Sequence, residues 1–442
     1  MLFNKNQLRA LLVPLVIEQV LTGLMGVADT LMVSNVGEAA ISGVSLVDSL
    51  NLLFVYFFSA LAAGGTIICA QYIGRQDEPD AGKAAHQVML ASFVLATVLG
   101  VLLMLARRPI LGLIFGTVEA DVMTAAVSYL FITAMSYPFL AMYTSSAALF
   151  RAIGNSRTPM LVAAGADVLN IIGNAVLIFV FHMGVAGAAL STLASRIASA
   201  GVMLWYQRRP SPIALGDLRH MKPDFPMIRR ILRVGLPSAV ENGMFQFGRL
   251  AVQSTVSTLG TTAIAVQAIV TTLELFGSMP AQAVGTGLLT VAGQCIGRGR
   301  PEEAREYTLR LTRISTWIVL GTGVLISAFA PLIMKLTALA PEGGLLACRI
   351  LWVVLAVKVL IWPKSFTLPN GMRAAGDVSY AMWVSTISMW VFRVAFSWIL
   401  CRYTPVGLWG VWIGWCTDWL VRNISFRLRF RGSKWLDHSI LD

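Results

Sequence analysis

The chain has 442 residues, of which 57% are hydrophobic and only 13% are charged. A soluble protein is about 45–50% apolar and about 25% charged, so the composition excludes a soluble enzyme and a disordered chain. The net charge of +12 does not mark a nucleic-acid binder, because the basic residues lie in short segments between apolar runs. That is how a membrane protein with basic cytoplasmic loops reads.

A spanning helix needs about 20 apolar residues, so a chain of this length with short connections holds roughly twelve spans. The first apolar run, Leu8 to Val33, is too long for a signal sequence and contains Glu18 and Asp29. It reads as the first span. The spans are expected at 8–34, 41–73, 86–106, 122–150, 158–182, 184–206, 227–257, 262–297, 307–332, 344–370, 378–401 and 406–428. The runs are continuous rather than alternating, which predicts an all-α polytopic membrane protein and not a β-barrel. Prolines at Pro14, Pro138, Pro237, Pro280 and Pro363 fall within or at the ends of spans and are candidate kinks.

The one long polar segment, Gln207 to Arg233, has four prolines and a basic excess. It predicts an N-lobe of six spans over 1–206, a cytoplasmic linker over 207–233, a C-lobe of six spans over 234–428 and a cytoplasmic tail over 429–442. A membrane-surface helix is expected near Phe225–Arg233, its charges meeting anionic lipid. One set of loops carries 25 of the 34 Lys and Arg residues. This side is the cytoplasm, and it holds both termini. The five cysteines are scattered through apolar runs without a CxxC and read as small core residues.

The halves repeat. Pro14 and Pro237 lie 223 residues apart, and the same offset pairs Glu18 with Glu241, Gly37 with Gly260, Gly64 with Gly287, Gly184 with Gly407, and QYIGR at 71–75 with QCIGR at 294–298. One residue less pairs RAIGN at 151–155 with RAAGD at 373–377. So many matches at one offset are a repeat. An even number of spans in each half makes the repeats parallel. Two facing bundles of that kind suit alternating access in a secondary transporter.

Asp29 lies in the middle of an otherwise apolar span, where an acid costs about 2.5–3.5 kcal/mol. A carboxyl held out of water is drawn toward protonation, which suits a group that takes a proton on one side and releases it on the other. Asn170 and Asn174 are i and i+4 in the fifth span and share a face; Thr192 in the sixth adds a hydroxyl. Asp167 lies one turn before Asn170. Glu18 and Glu241 are repeat partners that either line a cavity or pair locally beside their prolines. Asp48, Asn51 and Glu274, the repeat partner of Asn51, are candidate substrate contacts. Arg196, Arg249 and Arg393 read as partners of acids or as snorkelling side chains. Tyr56, Met135, Tyr137, Met279 and Trp362 are candidate surfaces for a flat cation.

PLVI at 14–17, VADTLMV at 27–33, QYIG at 71–74, RAIGN at 151–155, NIIGN at 170–174, GAALST at 187–192 and QCIG at 294–297 together resemble the prokaryotic multidrug and toxic compound extrusion (MATE) family over essentially the whole chain. The resemblance implies a two-lobe, V-shaped fold in a bacterial inner membrane. It implies export of amphipathic or cationic small molecules driven by inward H⁺ or Na⁺. It also implies Asp29 as the coupling carboxylate, with a first-lobe cation site of Asp, Asn, Asp and Thr, read here as Asp29, Asn170, Asn174 and Thr192. Asn174 replaces the second acid. One carboxylate with neutral oxygens still suits Na⁺, a single carboxyl still carries a proton, and Asp167 is a candidate to compensate. Where one branch of the family carries a second-lobe coupling glutamate this chain has Phe245, and Leu345 to Met372 contains Lys358 and Lys364 but no acid.

Four distant histidines (His86, His182, His220, His438) and the absence of HExxH, GxSxG and Walker motifs argue against an enzyme or an ATP-driven pump. No cofactor is called for, the expected partners are substrate and lipid but not nucleic acid, and the expected state is a monomer. The rival reading is a flippase or exporter of a lipid-linked or polar metabolite in the same superfamily.

Overall fold

The computed structural model describes residues 2–116, 119–214, 222–337, 339–438 and 440–441. His220 and the middle of the expected linker, 215–221, lie outside the described residues, as do 439 and 442 of the expected tail. Among the described residues all regular structure is helical: α1 (Lys5–Ser34), α2 (Glu38–Arg75), α3 (Glu78–Leu105), α4 (Arg107–Phe115), α5 (Ala120–Met135), α6 (Tyr137–Ala152), α7 (Arg157–Asn174), α8 (Gly184–Gln207), α9 (Phe225–Ser257), α10 (Thr261–Gly297), α11 (Pro301–Leu336), α12 (Pro341–Phe366), α13 (Leu368–Ala374), α14 (Val378–Ser388), α15 (Ser397–Tyr403) and α16 (Trp409–Arg431).

Among the described residues nine helices are long and apolar enough to cross a membrane, and α5 with α6, bent by 47°, makes a tenth if the pair is one span. The other two expected spans, 227–257 and 406–428, form α9 and α16. Each is long enough, but α9 carries Arg229, Arg230, Arg233, Glu241 and Arg249, and α16 carries Asp418, Arg422, Arg427, Arg429 and Arg431. Their polarity is why apolar length alone does not pick them out.

The helix breaks follow the prolines only in part. Pro138 sits in the first turn of α6, where a missing N–H costs nothing, so the span breaks just before it at Ser136. In the second half the helix runs through Pro363 and breaks at Thr367, with Pro369 opening α13. The expected surface helix near Phe225 is instead the start of α9, which continues unbroken through Pro237.

The repeat is written into the backbone. Left-handed residues recur at the sequence offset: Gly37 with Gly260, Gln76 with Gly299, Gly184 with Gly407 and, one residue short, Gly154 with Gly376. The fifth span of each half also contains a π-helical stretch, Ala175–Val180 and Met389–Phe396.

The chain forms two compact units, one of Asn6–Ala239 and one of Val240–Asp442 with Met1–Lys5. The division falls inside α9 rather than in the linker. The physical reason is packing. Ile231 and Val234 are buried, and the backbones of α2 and α9 touch so closely that a Cβ on Gly64 would stand 2.7 Å from the Gly235 Cα. Upstream of α9, Gln87 Nε2 donates to the Lys222 carbonyl at 3.0 Å, and the Asp224 N–H donates to Gln87 Oε1 at 3.1 Å.

In the first unit, Val47, Leu111, Leu130 and Ala189 centre one apolar cluster. Phe58, Ala96, Ala134 and Tyr137 centre another. The second unit packs α10, α11, α12 and α16 around Val266, Ile350, Val411 and Trp412. The residues expected as a tail are part of this unit: Trp435 stacks on Phe430 at 4.9 Å, and Asp377 accepts from Arg429 Nε at 2.8 Å.

Gly64→Val or Gly235→Val forces α2 and α9 apart. Overpacking of this kind costs about 1–3 kcal/mol, so each variant in detergent should melt below the wild type. Gly26→Val, where a Cβ meets nothing within 4 Å, should not.

Candidate functional site

Asp29 on α1, Asn170 and Asn174 on α7 and Thr192 on α8 come together in the first unit. Asn174 Nδ2 donates to Asp29 Oδ1 at 2.7 Å and lies 3.2 Å from Asn170 Oδ1. Asn170 Nδ2 donates to Thr192 Oγ1 at 3.3 Å, and Ser191 Oγ donates to the Asn170 carbonyl at 2.7 Å. With the Asn170 amide turned over, its nitrogen donates to Asp29 Oδ1 at 2.8 Å and its oxygen accepts from the Thr192 N–H at 3.3 Å. In either orientation neutral amides contact the carboxylate, and among the described residues no Lys or Arg lies within ion-pair distance of it. Asn174 is only 2% exposed, and its Oδ1 makes no hydrogen bond. A buried, unpartnered oxygen beside a carboxylate is a ready ligand for a small cation. The π-helical stretch begins at the residue after Asn174, a placement common at functional sites.

Asp167 has one buried oxygen without a partner and no hydrogen bond to Asn170, Asn174 or Asp29 among the described residues. Asp48 accepts from Asn51 Nδ2 and from the Tyr129 hydroxyl, both at 3.2 Å, and Tyr137 donates to Asn51 Oδ1 at 2.7 Å. Arg196 donates to Ser136 Oγ at 2.6 Å and meets no carboxylate within ion-pair distance among the described residues.

The other predicted acids are held in ion pairs. Glu18 binds Arg151 at 2.5 Å, and its repeat partner Glu241 binds Arg373 at 2.7 Å. The local-pairing reading of these two therefore fits the geometry better than open cavity carboxylates. Glu274 is paired with Lys358 at 2.8 Å, their side chains 5% and 0% exposed. Ser278 Oγ accepts from Lys358 at 2.6 Å and donates to Glu274 at 3.0 Å. Met279 is half-buried one residue beyond Ser278.

Sequence reasoning missed Asp418. Its carboxylate is buried between Arg393 and Arg422, both at 2.7 Å, and accepts from Ser388 at 2.7 Å. The two guanidiniums lie against Trp415 and Phe245 at 4.4 and 4.5 Å. The i, i+4 spacing of Asp418 and Arg422 was the available signal.

Two homologous halves of membrane-crossing helices, with carboxylates inside the apolar region, define a multi-pass membrane transporter. The MatE family model matches residues 14–176 and 237–399, once in each half and displaced by the repeat offset. The chain belongs to the MATE family, whose members are transporters and not enzymes. It is 26% identical over 432 residues to the uncharacterized transporter YisQ of Bacillus subtilis, covering 96% of this chain and 93% of that protein. It is 27% identical over 453 residues to the probable multidrug resistance protein NorM of Thermotoga maritima, covering 99% and 94%. The fold matches a solved outward-facing multidrug resistance MATE family transporter of the MOP superfamily, with a TM-score of 0.90 at 22% identity over 97% of this chain and 96% of that one.

Removing one member of a buried ion pair costs about 3–5 kcal/mol, whereas replacing both with apolar or neutral groups is often neutral. Lys358→Met should therefore lower the melting temperature strongly, and adding Glu274→Gln should restore most of it.

Proposed function

We propose that the chain is a secondary antiporter exporting amphipathic organic cations in exchange for inward H⁺ or Na⁺ by alternating access, with Asp29 as the coupling carboxylate. The observation that carries this reading is the joining of Asp29, Asn170, Asn174 and Thr192 through neutral donors only. A carboxylate with no Lys or Arg partner keeps its charge for an exchangeable cation. The multidrug name of the Thermotoga maritima relative agrees with it. The second unit holds Lys358 on Glu274 and both Arg393 and Arg422 on Asp418, so the preference for cationic substrates over the anionic lipid-linked precursors of a flippase rests on the first-unit carboxylates.

In this scheme a cation from outside binds at Asp29 and expels the substrate; inward release of the cation readies the site for reloading. One charge moving down 100 mV yields about 2.3 kcal/mol. At 1.4 kcal/mol per tenfold, that sustains roughly a 40-fold gradient of a neutral substrate. A monovalent cation exchanged for one proton moves no net charge, so the pH or Na⁺ gradient alone must then drive it. The loop charges support a multi-pass protein of a bacterial inner membrane with both termini in the cytoplasm, and the two-repeat chain supports a functional monomer.

The test is ethidium efflux from proteoliposomes under a pH gradient and, separately, a Na⁺ gradient. Wild type should export under one of them, and Asp29→Asn should lose more than tenfold of that rate. Equal rates in wild type and Asp29→Asn would put the coupling site elsewhere. No wild-type export under either gradient would remove the organic-cation reading.

A further inference from the structure

We infer that the second unit binds a small monovalent anion, a halide or a carboxylate group, at Arg393 and Trp415. This goes beyond the proposed antiport: it concerns the other unit and a ligand of opposite charge.

The repeat supplies the first reason. The offset of 223 residues carries Asn170 to Arg393, Thr192 to Trp415 and Asp29 to Val252. At the positions equivalent to the first unit's cation cluster, the second unit lacks the acid and has a base instead. Val252 is buried and apolar, so the position equivalent to Asp29 carries no charge.

Charge gives the second reason. Glu241, Glu274 and Asp377 each have one Lys or Arg partner, in Arg373, Lys358 and Arg429. Asp418 has two, Arg393 and Arg422. Arg249, half-buried on α9, adds no acid. The buried group of Asp418, Arg393 and Arg422 therefore has one positive charge in excess, and a lone charge in an apolar interior is very costly. The faces of Trp415 and Phe245 attract the guanidiniums but bring no net charge. One monovalent anion makes the group neutral.

Hydrogen bonding says where the anion sits. Asp418 spends Oδ1 on Arg422 Nε and Ser388 and Oδ2 on Arg393 Nη2, each at 2.7 Å. Arg422 has a further acceptor in the Ser385 carbonyl, 2.8 Å from its Nη2. Arg393 does not: its Nε is buried without a hydrogen bond. So is Nε1 of Trp415, whose ring lies 4.4 Å from the Arg393 guanidinium. Both residues are only 5% exposed. The other buried side-chain atoms of α16 without a hydrogen bond are the indole nitrogens of Trp412 and Trp419, and Asp418 Oδ2 in its ion pair with Arg393. Apart from that paired oxygen, every unmet group on this face is a donor. Buried N–H groups almost always have an acceptor, and an anion accepts from two donors at once.

The test is the melting temperature of the purified full-length protein in sodium gluconate, with gluconate replaced stepwise by chloride or, separately, by acetate at fixed Na⁺ and ionic strength. A ligand that binds only the folded state adds an equal increment of stability for each tenfold above its Kd. Wild type should rise in at least one series. A rise in chloride marks a site for a free halide, and a rise in acetate alone marks a site for a carboxylate group. Arg393→Gln leaves Asp418 and Arg422 as a balanced pair and should lose the rise. Trp415→Phe keeps an aromatic ring but removes a donor, so it should need about tenfold more anion for the same rise. A wild type that melts alike in gluconate, chloride and acetate overturns the inference, and so does a full rise in Arg393→Gln. If Arg393→Gln does not fold, Trp415→Phe decides, and a series identical to wild type overturns the site. No transport is measured, so failure of the antiport reading leaves each of these outcomes readable.

Discussion

A charge in an apolar interior must be neutralised, hydrogen-bonded or put to use, and this constraint orders the whole molecule. In the second unit every buried acid named above has a guanidinium or ammonium partner: Glu241 with Arg373, Glu274 with Lys358, Asp377 with Arg429, and Asp418 between Arg393 and Arg422. In the first unit only Glu18 is treated that way. Asp29 and Asp48 are held by amides and a phenol. Those donors orient a carboxylate without cancelling its charge.

The two units are therefore diverged versions of one design. The repeat offset places Arg393 where the first half has Asn170, and Trp415 where it has Thr192. The Arg393 guanidinium lies over the Trp415 ring, while Asn170 and Thr192 share a hydrogen bond. Where the first unit has a hydrogen-bonded amide, the second carries a guanidinium, held by Asp418. What the repeats keep in common is scaffold: the Glu–Arg pairs, the left-handed glycines and the π-helical stretch.

Much of this was legible in the residues. Apolar length located the helices, the offset of Pro14 and Pro237 exposed the repeat, and the i, i+4 spacing of Asn170 and Asn174 placed them on one face. The composition of the Asp29 cluster came from family resemblance, and its hydrogen bonds agree with that grouping. The pairing of distant charges was not legible. Glu274 and Lys358 are 84 residues apart, and no local pattern says which base an intramembrane acid will meet. The packing of the linker and tail segments was not legible for a related reason. Polarity marks a segment as lying outside the bilayer, but not as lying free of the protein, and Ile231 and Trp435 are buried.

The division of the chain inside α9 bears on how the molecule can be built. The first unit includes α9 as far as Ala239, and the second includes the first few residues of the chain. There the Leu2 N–H donates to Glu303 at 2.7 Å and Phe3 packs edge-on against Tyr307. Leu2 and Phe3 meet these partners only once the chain has been made as far as position 307. The amino-terminal half, likewise, is incomplete until the start of α9 has been made. A gene cut in the linker would yield two fragments, each lacking a piece encoded on the other.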